Sequence, residues 1–441
     1  MSGCSPFGTL PSEWRSVPAK HATSLNPEVL SESTPPDAEL LYVDIAALEG
    51  GGVSNMLTPK QLTFKAAPSR ARRVLRTGDT ILSTVRTYLK AVANFPSAEE
   101  SLIASTGFAV LRPNGTLHPR FAYWAVLSEP FIESVVSHSE GVSYPAINPA
   151  VLGALHLPVP PSAIQLRIAN FLDEQTARID ALITEKDRLL QALGEYSAAT
   201  IESMFTGIYI TGERTKTGSI FFPEIPASWH PAALKRLLSQ PLTDGPHETP
   251  EFIPEGIPFV SAEAVKGGRV DFERKRGFIS KELHELYSKK VRPQRDDVFM
   301  VKSGNTTGAV ALVETDQEFS VWSPLAVMRA DRERILPHFL YFALQTPYFQ
   351  RSVQLFWSQG TQPNIGMGVL ENLKIVVPPI PEQEVLISKA WGLRRSVAEL
   401  SEHVLAHIAR LREYRSSLIS AAVTGQLDIS TFTENLPRAS S

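Results

Sequence analysis

The sequence predicts an α+β protein built twice: two similar domains, each a mixed, mainly antiparallel sheet with helices, separated by two long helices that form an antiparallel coiled coil. Three observations carry this. The stretch Gln165 to Gly207 reappears 218 residues later as Gln383 to Gly425, with Leu182 falling on Leu400 and Tyr196 on Tyr414. Each copy follows a double proline, Pro160-Pro161 and Pro378-Pro379, and ends at a glycine, the usual punctuation of a helix. The duplication also reaches upstream. Phe121-Ala-Tyr-Trp-Ala125 matches Phe339-Leu-Tyr-Phe-Ala343 at the same shift, and Pro11-Ser-Glu-Trp14 matches Pro226-Ala-Ser-Trp229 at 215. A period above 200 residues marks a duplicated domain, not a solenoid.

Taken in order, residues 1–161 are expected to form the first domain. Leu40 to Ile45, Thr80 to Val85, Phe108 to Leu111 and Leu155 to Val159 are β-prone runs, with a turn at Glu49-Gly-Gly-Gly52. Phe121 to Leu127 and Pro130 to Val136 read as helices. Residues 162–210 form the first long helical region. In it Ile168, Leu172, Gln175, Ile179, Leu182, Lys186, Leu189, Leu193 and Tyr196 recur at steps of four and three. Residues 211–379 repeat the domain, with strands at Ile257–Val260, Val298–Val301, Val310–Val313, Leu325–Met328 and Leu373–Val377 and a helix around Leu340. Residues 380–427 repeat the long helix, its seam now Leu386, Ala390, Leu393, Val397, Leu400, Val404, His407, Leu411 and Tyr414, and 428–441 is a polar tail. The seam runs for about four heptads. Leu172, Ile179, Leu182, Leu189, Leu193 and Tyr196 are therefore expected to pair with Leu393, Val397, Leu400, Val404, Leu411 and Tyr414. A rod of this length measures roughly 64 Å.

The 441 residues carry 43 basic and 46 acidic side chains, so the total charge of −3 argues neither for nor against a nucleic-acid ligand; a local basic footprint would decide. No apolar run is long enough to span a membrane, and no secretory signal is visible at Met1 to Leu10. Cys4 is the single cysteine, which excludes an internal disulfide and suits a reducing cytoplasm.

Catalytic signatures are missing. No phosphate-binding glycine loop follows a strand, and no Asn/Asp-Pro-Pro-aromatic tetrapeptide of adenine methyltransferases occurs. Glu273-Arg-Lys275 resembles the end of a nuclease motif but lacks its preceding Pro-Asp. The ten histidines are scattered along the chain. No catalytic residue, metal or cofactor is assigned. The binding signals are stronger. Arg70, Arg72 and Arg73 crowd a stretch without acids and suit phosphate contacts, a solvated charge run being the plain alternative. Thr84, Arg86 and Tyr88 alternate as if on one face of a strand. Ser143 and Tyr144 in the first domain, and Gln362 and Asn364 in the second, occupy equivalent polar loops. His247 lies in the rigid loop Asp244-Gly-Pro-His-Glu-Thr-Pro250; Arg274, Lys275 and Arg276 form a second basic cluster; Lys302, Ser303, Asn305 and Thr306 lie in a turn-rich loop. Asn and Gln suit adenine, and Arg suits guanine.

In the order and duplication of these features the chain resembles the specificity (S) subunit of type I restriction-modification systems. The resemblance rests on the Pro-x-x-Trp openings, on Ala67-Pro-Ser-Arg-Ala-Arg-Arg73 with Gly78-Asp79, on Asp244-Gly-Pro-His-Glu-Thr-Pro250, and on the double prolines with Ala422-Val-Thr-Gly-Gln426, and it covers nearly the whole length. It implies two target recognition domains, each reading half of a split site in double-stranded DNA. It also implies that two methyltransferase subunits dock on the helices, that restriction subunits complete the nuclease, and that the chain is non-catalytic. Met204-Phe-Thr-Gly207 departs from the family pattern at the end of the first helix, and Arg295-Asp-Asp297 stands where the first domain has Gly78-Asp79. A coiled-coil adaptor without base readout, or an enzyme with an unrecognised site, are the competing readings.

If the helices act as a ruler, one heptad inserted after Lys186 and another after Val404 keeps the seam in phase while lengthening the rod by about 10 Å, roughly three base pairs. Such a protein should fold, lose tight binding to the parent's DNA site and recover it best on a site with a longer unread spacer. Equal affinity for the original spacing would show that the helices do not set it.

Overall fold

The structure, a computed structural model, describes residues 6–48, 59–359 and 362–429. The turn expected at Glu49–Gly52, Thr361 and the tail from Ser430 lie outside the described residues. The chain forms two compact units, Met1–Arg188 with Val404–Ser441, and Leu189–His403. Both long helices, Ser162–Phe205 and Ile380–Val423, are therefore shared: each unit holds a domain, the first half of the helix that follows it and the last half of the other.

In the first unit one antiparallel sheet runs Thr23–Leu25, Phe108–Pro113, Thr80–Ser83, Val92–Asn94. A second runs Lys60–Thr63, Glu39–Val43, Leu102–Ser105, Ala71–Val74, with its two central strands parallel. Ile81, Phe108 and Val110 of the first sheet share a core with Val43, Leu102 and Ala104 of the second. The strand Thr80–Ser83 is buried along its whole length, with Ile81 and Leu82 flanked by the buried hydroxyls of Thr80 and Ser83, so it does not read as an alternation. The second unit repeats the plan. Its larger sheet runs Thr243–Asp244, Leu325–Met328, Val298–Val301, Val310–Leu312 before two short strands, and its parallel pair is Ile257–Val260 with Ser320–Val321. The α+β class with a mainly antiparallel sheet is as expected from the sequence.

Three polar devices occur once in each unit. Gln165 is buried where its helix begins; its side-chain oxygen accepts from the His118 N–H (2.6 Å) and its amide donates to the carbonyls of Thr116 and Pro160. Gln383 does the same with the Leu336 N–H (2.8 Å) and the carbonyls of Arg334 and Pro378. The glutamine thus supplies the acceptor that the short helix beginning at Pro119 or Pro337 lacks at its start. Asp79, fully buried, receives both Nε and Nη2 of Arg112 (2.8 and 2.9 Å), and Asp297 receives the same pair from Arg329 (both 2.8 Å). The apparent departure at Arg295-Asp-Asp297 is resolved here: Asp296 adopts φ 71°, the left-handed conformation that Gly78 takes at φ 89°. Third, Gly207 and Gly425 close the long helices at φ 69° and 73°. A Cβ on either would lie 2.5–2.7 Å from the ring of Pro226 or Pro11, with Trp229 or Trp14 beside it. The Pro-x-x-Trp openings are therefore the seats on which the helix ends rest, and Met204–Gly207 makes the same cap as Ala422–Gly425 despite its different residues.

Within the first unit the helix halves run antiparallel: Arg415 Nε meets Asp180 (2.9 Å), and Lys186 Nζ lies 3.5 Å from His407 Nδ1. In the second unit Ile201 shares a core with Leu386 and Ala390. The seam differs from the expected one in phase. Leu172, Ile179 and Val404 are buried and Leu193, Leu393, Val397 and Leu411 half-buried, but Leu182, Leu189, Tyr196, Leu400 and Tyr414 are exposed. Their places are taken one residue later by Ile183, Leu190 and Ser197, and by Ser401 and Arg415; Ile408 likewise replaces His407. From each shared position the next inward residue is four along, not three. Both lie within the apolar stripe of a helix, and adjacent apolar residues such as Leu182-Ile183 and Leu189-Leu190 leave the choice open to sequence inspection. Anchoring at Gln165, Ile168, Ala169 and Leu172 against the domain selects the +4 phase.

Ile183→Ala should therefore cost about 2–4 kcal/mol in urea unfolding, and Leu182→Ala less than about 1 kcal/mol. The reverse order would restore the original seam.

Candidate nucleic-acid interface

In the first unit the candidate residues gather around the turn Ser105–Gly107. The Thr106 N–H donates to the Arg70 carbonyl (2.8 Å), and the N–H and hydroxyl of Thr84 both donate to the Gly107 carbonyl (2.8 and 2.9 Å). The chain leaves the sheet at Ser83, so residues 84–88 are not the strand expected from their alternation. Thr84 is buried and saturated, Arg86 turns left-handed (φ 51°), and Thr87–Leu89 is a 3-10 turn that leaves Tyr88 exposed. Thr84 is thereby removed from any reading face. The loop is tied to a hairpin. The Arg86 N–H donates to the Pro145 carbonyl (2.7 Å), and the Ile147 N–H to the Thr84 carbonyl (2.9 Å). Glu140 and Ala146 exchange both backbone bonds at the hairpin's base, which projects Val142, Ser143 and Tyr144 outward. The Arg86 guanidinium lies over the Tyr144 ring, 5.0 Å from its centroid.

The arginine cluster is divided by a strand irregularity between Ala71 and Arg73. Arg70 is exposed, with Nε donating to the Tyr42 hydroxyl (3.1 Å); Arg72 folds over Phe64 (5.2 Å). Arg73 is half-buried, its Nε has no hydrogen-bond partner among the described residues, and burial pushes its pKa below the ordinary arginine value. A partly desolvated guanidinium gains from pairing with an anion. Arg76 is instead neutralised by Glu28, whose own pKa is held down by hydrogen bonds from Arg76 and Arg112.

The second unit has the same loop pair with different side chains. The Gly304 N–H donates to the Pro363 carbonyl (3.1 Å) and the Ile365 N–H to the Lys302 carbonyl (2.8 Å), and Ser303 bridges Asn364. Lys302 thus takes the place of Thr84, and Gly304 that of Arg86. Asn305, Thr306 and Gln362 are exposed around them. The Lys302 N–H donates to Pro324 and the Ser323 N–H to Pro246, which brings the His247 loop to the same end. Arg276 stacks over Trp322 at 4.7 Å and so belongs to this group. Arg274 pairs with Asp271 (3.4 Å) and Lys275 folds over Phe278 (4.9 Å), so these two are engaged locally.

Sequence inspection missed the centre of this second cluster. Asp244 is buried and gathers Lys290 (2.5 Å), Lys302 (3.3 Å) and His247 (3.3 Å). Lys290, distant in sequence, carries no local signal. Gly245 is required here, since a Cβ would sit 1.9 Å from the Val321 carbonyl oxygen. Burial works to raise the pKa of Asp244, but Lys290 and Lys302 outweigh it and hold it below the usual carboxylate range. A depressed pKa stabilises the folded state above the unfolded value near ~4, and that contribution is lost as pH falls through the folded value. Asp244→Asn should therefore cost about 2–3 kcal/mol at pH 7 by leaving lysines unpaired, with the difference from the parent shrinking toward pH 3. Denaturant titrations at the two pH values would show it, and a pH-independent cost would remove the ionic explanation. Among the described residues no His, Cys, Asp and Glu group is placed to hold a metal, and no helix is long and apolar enough to cross a membrane.

Residues 250–389 match the family model of the type I restriction modification DNA specificity domain. The chain is 23% identical over 328 residues to the type I restriction enzyme EcoBI specificity subunit of Escherichia coli, covering 72% of this chain and 67% of that protein. It is 20% identical over 336 residues to the MjaVIII specificity subunit of Methanocaldococcus jannaschii, covering 75% of each. A chain solved in work on complex assembly and conformational transition of the type I R-M system superposes with a TM-score of 0.68 at 23% identity, covering 95% of this chain and all of that one. The HsdS subunit from Thermoanaerobacter tengcongensis gives 0.50 at 22% identity, over 95% and 98%. The structural likenesses establish the fold. In its matched domain, its named relatives and its duplicated architecture, this chain is similar to the specificity (S) subunits of type I restriction-modification systems.

Proposed function

We propose that the chain reads a bipartite site in double-stranded DNA, one half with each domain, and docks methyltransferase subunits on its helices without itself catalysing a reaction. The observation that carries this is the pair of matched loops. Backbone bonds from residues 84, 86 and 147 recur at 302, 304 and 365, yet the side chains presented differ throughout. Equal scaffolds with unequal reading surfaces suit two different half-sites. The domains so used are 1–161 and 211–379, with helical regions 162–210 and 380–427. Arg70 and Arg73 are assigned to phosphate, and Arg86, Tyr88, Ser143, Tyr144, His247, Arg276, Lys302, Ser303, Asn305, Thr306, Gln362 and Asn364 to the DNA-facing loops.

Docking draws on the phase of the helix seam. In the first unit Leu182 and Tyr414 are exposed; in the second their equivalents Leu400 and Tyr196 are exposed. Each unit thus offers the same uncovered leucine and tyrosine, which suits two copies of one partner, and restriction subunits would join that assembly. An adaptor without base readout explains the seam but not the paired loops.

The test is selection from a random-sequence duplex library by the purified chain with its methyltransferase partner. Recovery should converge on two short fixed sequences at constant separation. Flat recovery at a salt concentration where DNA still binds would favour the adaptor.

A further inference from the structure

The left-handed arginine at the tip of the first unit's loop asks for a reason. Four described non-glycine residues have positive φ, and two of them, Arg86 and Lys90, lie in this one loop. At the equivalent positions the second unit has Gly304 (φ 108°) and Gly308 (φ 96°), the residue that such backbone favours. The first unit keeps a bulky side chain at a place where its own duplicate shows that glycine serves the fold. Such outliers persist where the surrounding structure over-determines them, and they cluster at ligand-contacting positions. Here the over-determination is visible. The Arg86 N–H is held by Pro145, and its guanidinium is laid on the ring of Tyr144, a residue 66% exposed at the end of a closed hairpin.

Resting on the DNA-reading function proposed above, we infer that Arg86, oriented by Tyr144, is the residue through which the first domain reads a guanine, and that the second domain has no counterpart. The stacked guanidinium is planar and already oriented, so its two-donor edge can meet the O6 and N7 acceptors of guanine in the major groove without first being ordered. A phosphate needs only charge. Arg70 and Arg73 supply that without a stacked platform. Gly304 has no side chain to offer, so the corresponding position of the other half-site is read by other groups or left unread.

The experiment repeats the library selection with the chain assembled on its methyltransferase partner, comparing parent, Arg86→Gly and Arg86→Lys. Glycine suits the positive φ, so Arg86→Gly copies the second unit and relieves the backbone; an unchanged melting temperature confirms that it folds. The parent should recover a guanine at one position of one half-site. Arg86→Gly should relax that single position by roughly tenfold to a hundredfold, leaving the other half-site and the salt dependence unaltered. Arg86→Lys should relax the same position while retaining overall affinity, because it keeps the charge and loses the fork. An unaltered recovered site, relaxation at a base other than guanine, or uniform weakening with a salt slope shallower by about one would each overturn the inference and leave the function standing. Failure of the parent itself to select any sequence would overturn the function and the inference together.

Discussion

An apolar stripe several heptads long cannot face water, and the protein resolves this within each compact unit. The first half of one helix lies against the last half of the other, with Ile179, Ile183, Val404 and Ile408 turned inward. The domains depend on the same arrangement, because each rests on a helix at two points. A buried glutamine fastens it to the start of its own helix, and a Pro-x-x-Trp opening seats the end of the other. In the first unit the seated helix end is a segment contributed by the far part of the chain, and in the second it directly precedes the domain. For the first unit that segment is residues 404–429, which return from the second helix to Pro11 and Trp14.

The duplicated polar contacts show which parts of the domain tolerate no variation between the two copies. A buried carboxylate is costly unless fully paired, and Asp79 and Asp297 each receive two guanidinium donors plus a backbone N–H, from Arg76 and Gln294 respectively. This pair closes the sheet beside the strand from which the loop 84–90 departs. Removing the arginine would leave a buried carboxylate without its cation. The two copies accordingly keep the pair while their loops diverge. Even the backbone demand at the preceding position is met differently, by Gly78 in one and by Asp296 in the other, since aspartate is among the few residues that enter the left-handed region at modest cost.

Much of the fold was legible in the sequence because it was written twice. Gln165 and Gln383 align through their role at the helix start, and the strand Val298–Val301 is buried on both faces, so it stands out as an apolar run. Several features were illegible for physical reasons. A seam with Leu182 followed by Ile183 does not say which one turns inward; tertiary anchoring at Ile168 and Leu172 does. Alternation over Thr84, Arg86 and Tyr88 mimics a strand, yet the chain turns there because Thr84 is drawn to Gly107 and Arg86 to Pro145. Arg73 looked equivalent to Arg70, but a strand irregularity sends it half into the domain. Lys290 joins Asp244 only through the packing of the helix Lys281–Ser288 and the segment after it.

The division between rigid base and variable tip has an energetic consequence for how two different loop surfaces can coexist on one chain. Strain of about 1–3 kcal/mol per left-handed non-glycine residue is tolerable at Arg86 and Lys90 because the loop is pinned at Thr84, Pro145 and Ile147 by bonds that do not involve their side chains. The same pins exist in the second unit, where glycines carry no strain. Side chains can therefore be exchanged at the tips without changing the route of the backbone. What limits a tip is how its side chain is oriented, and the two units do this differently. At the first loop's tip an aromatic ring supports a guanidinium; at the base of the second loop a buried aspartate gathers two lysines and a histidine, apart from the Arg276–Trp322 stack. The first arrangement fixes a plane and the second fixes charge, so equivalent loops on equivalent scaffolds present chemically unlike surfaces to whatever lies against them.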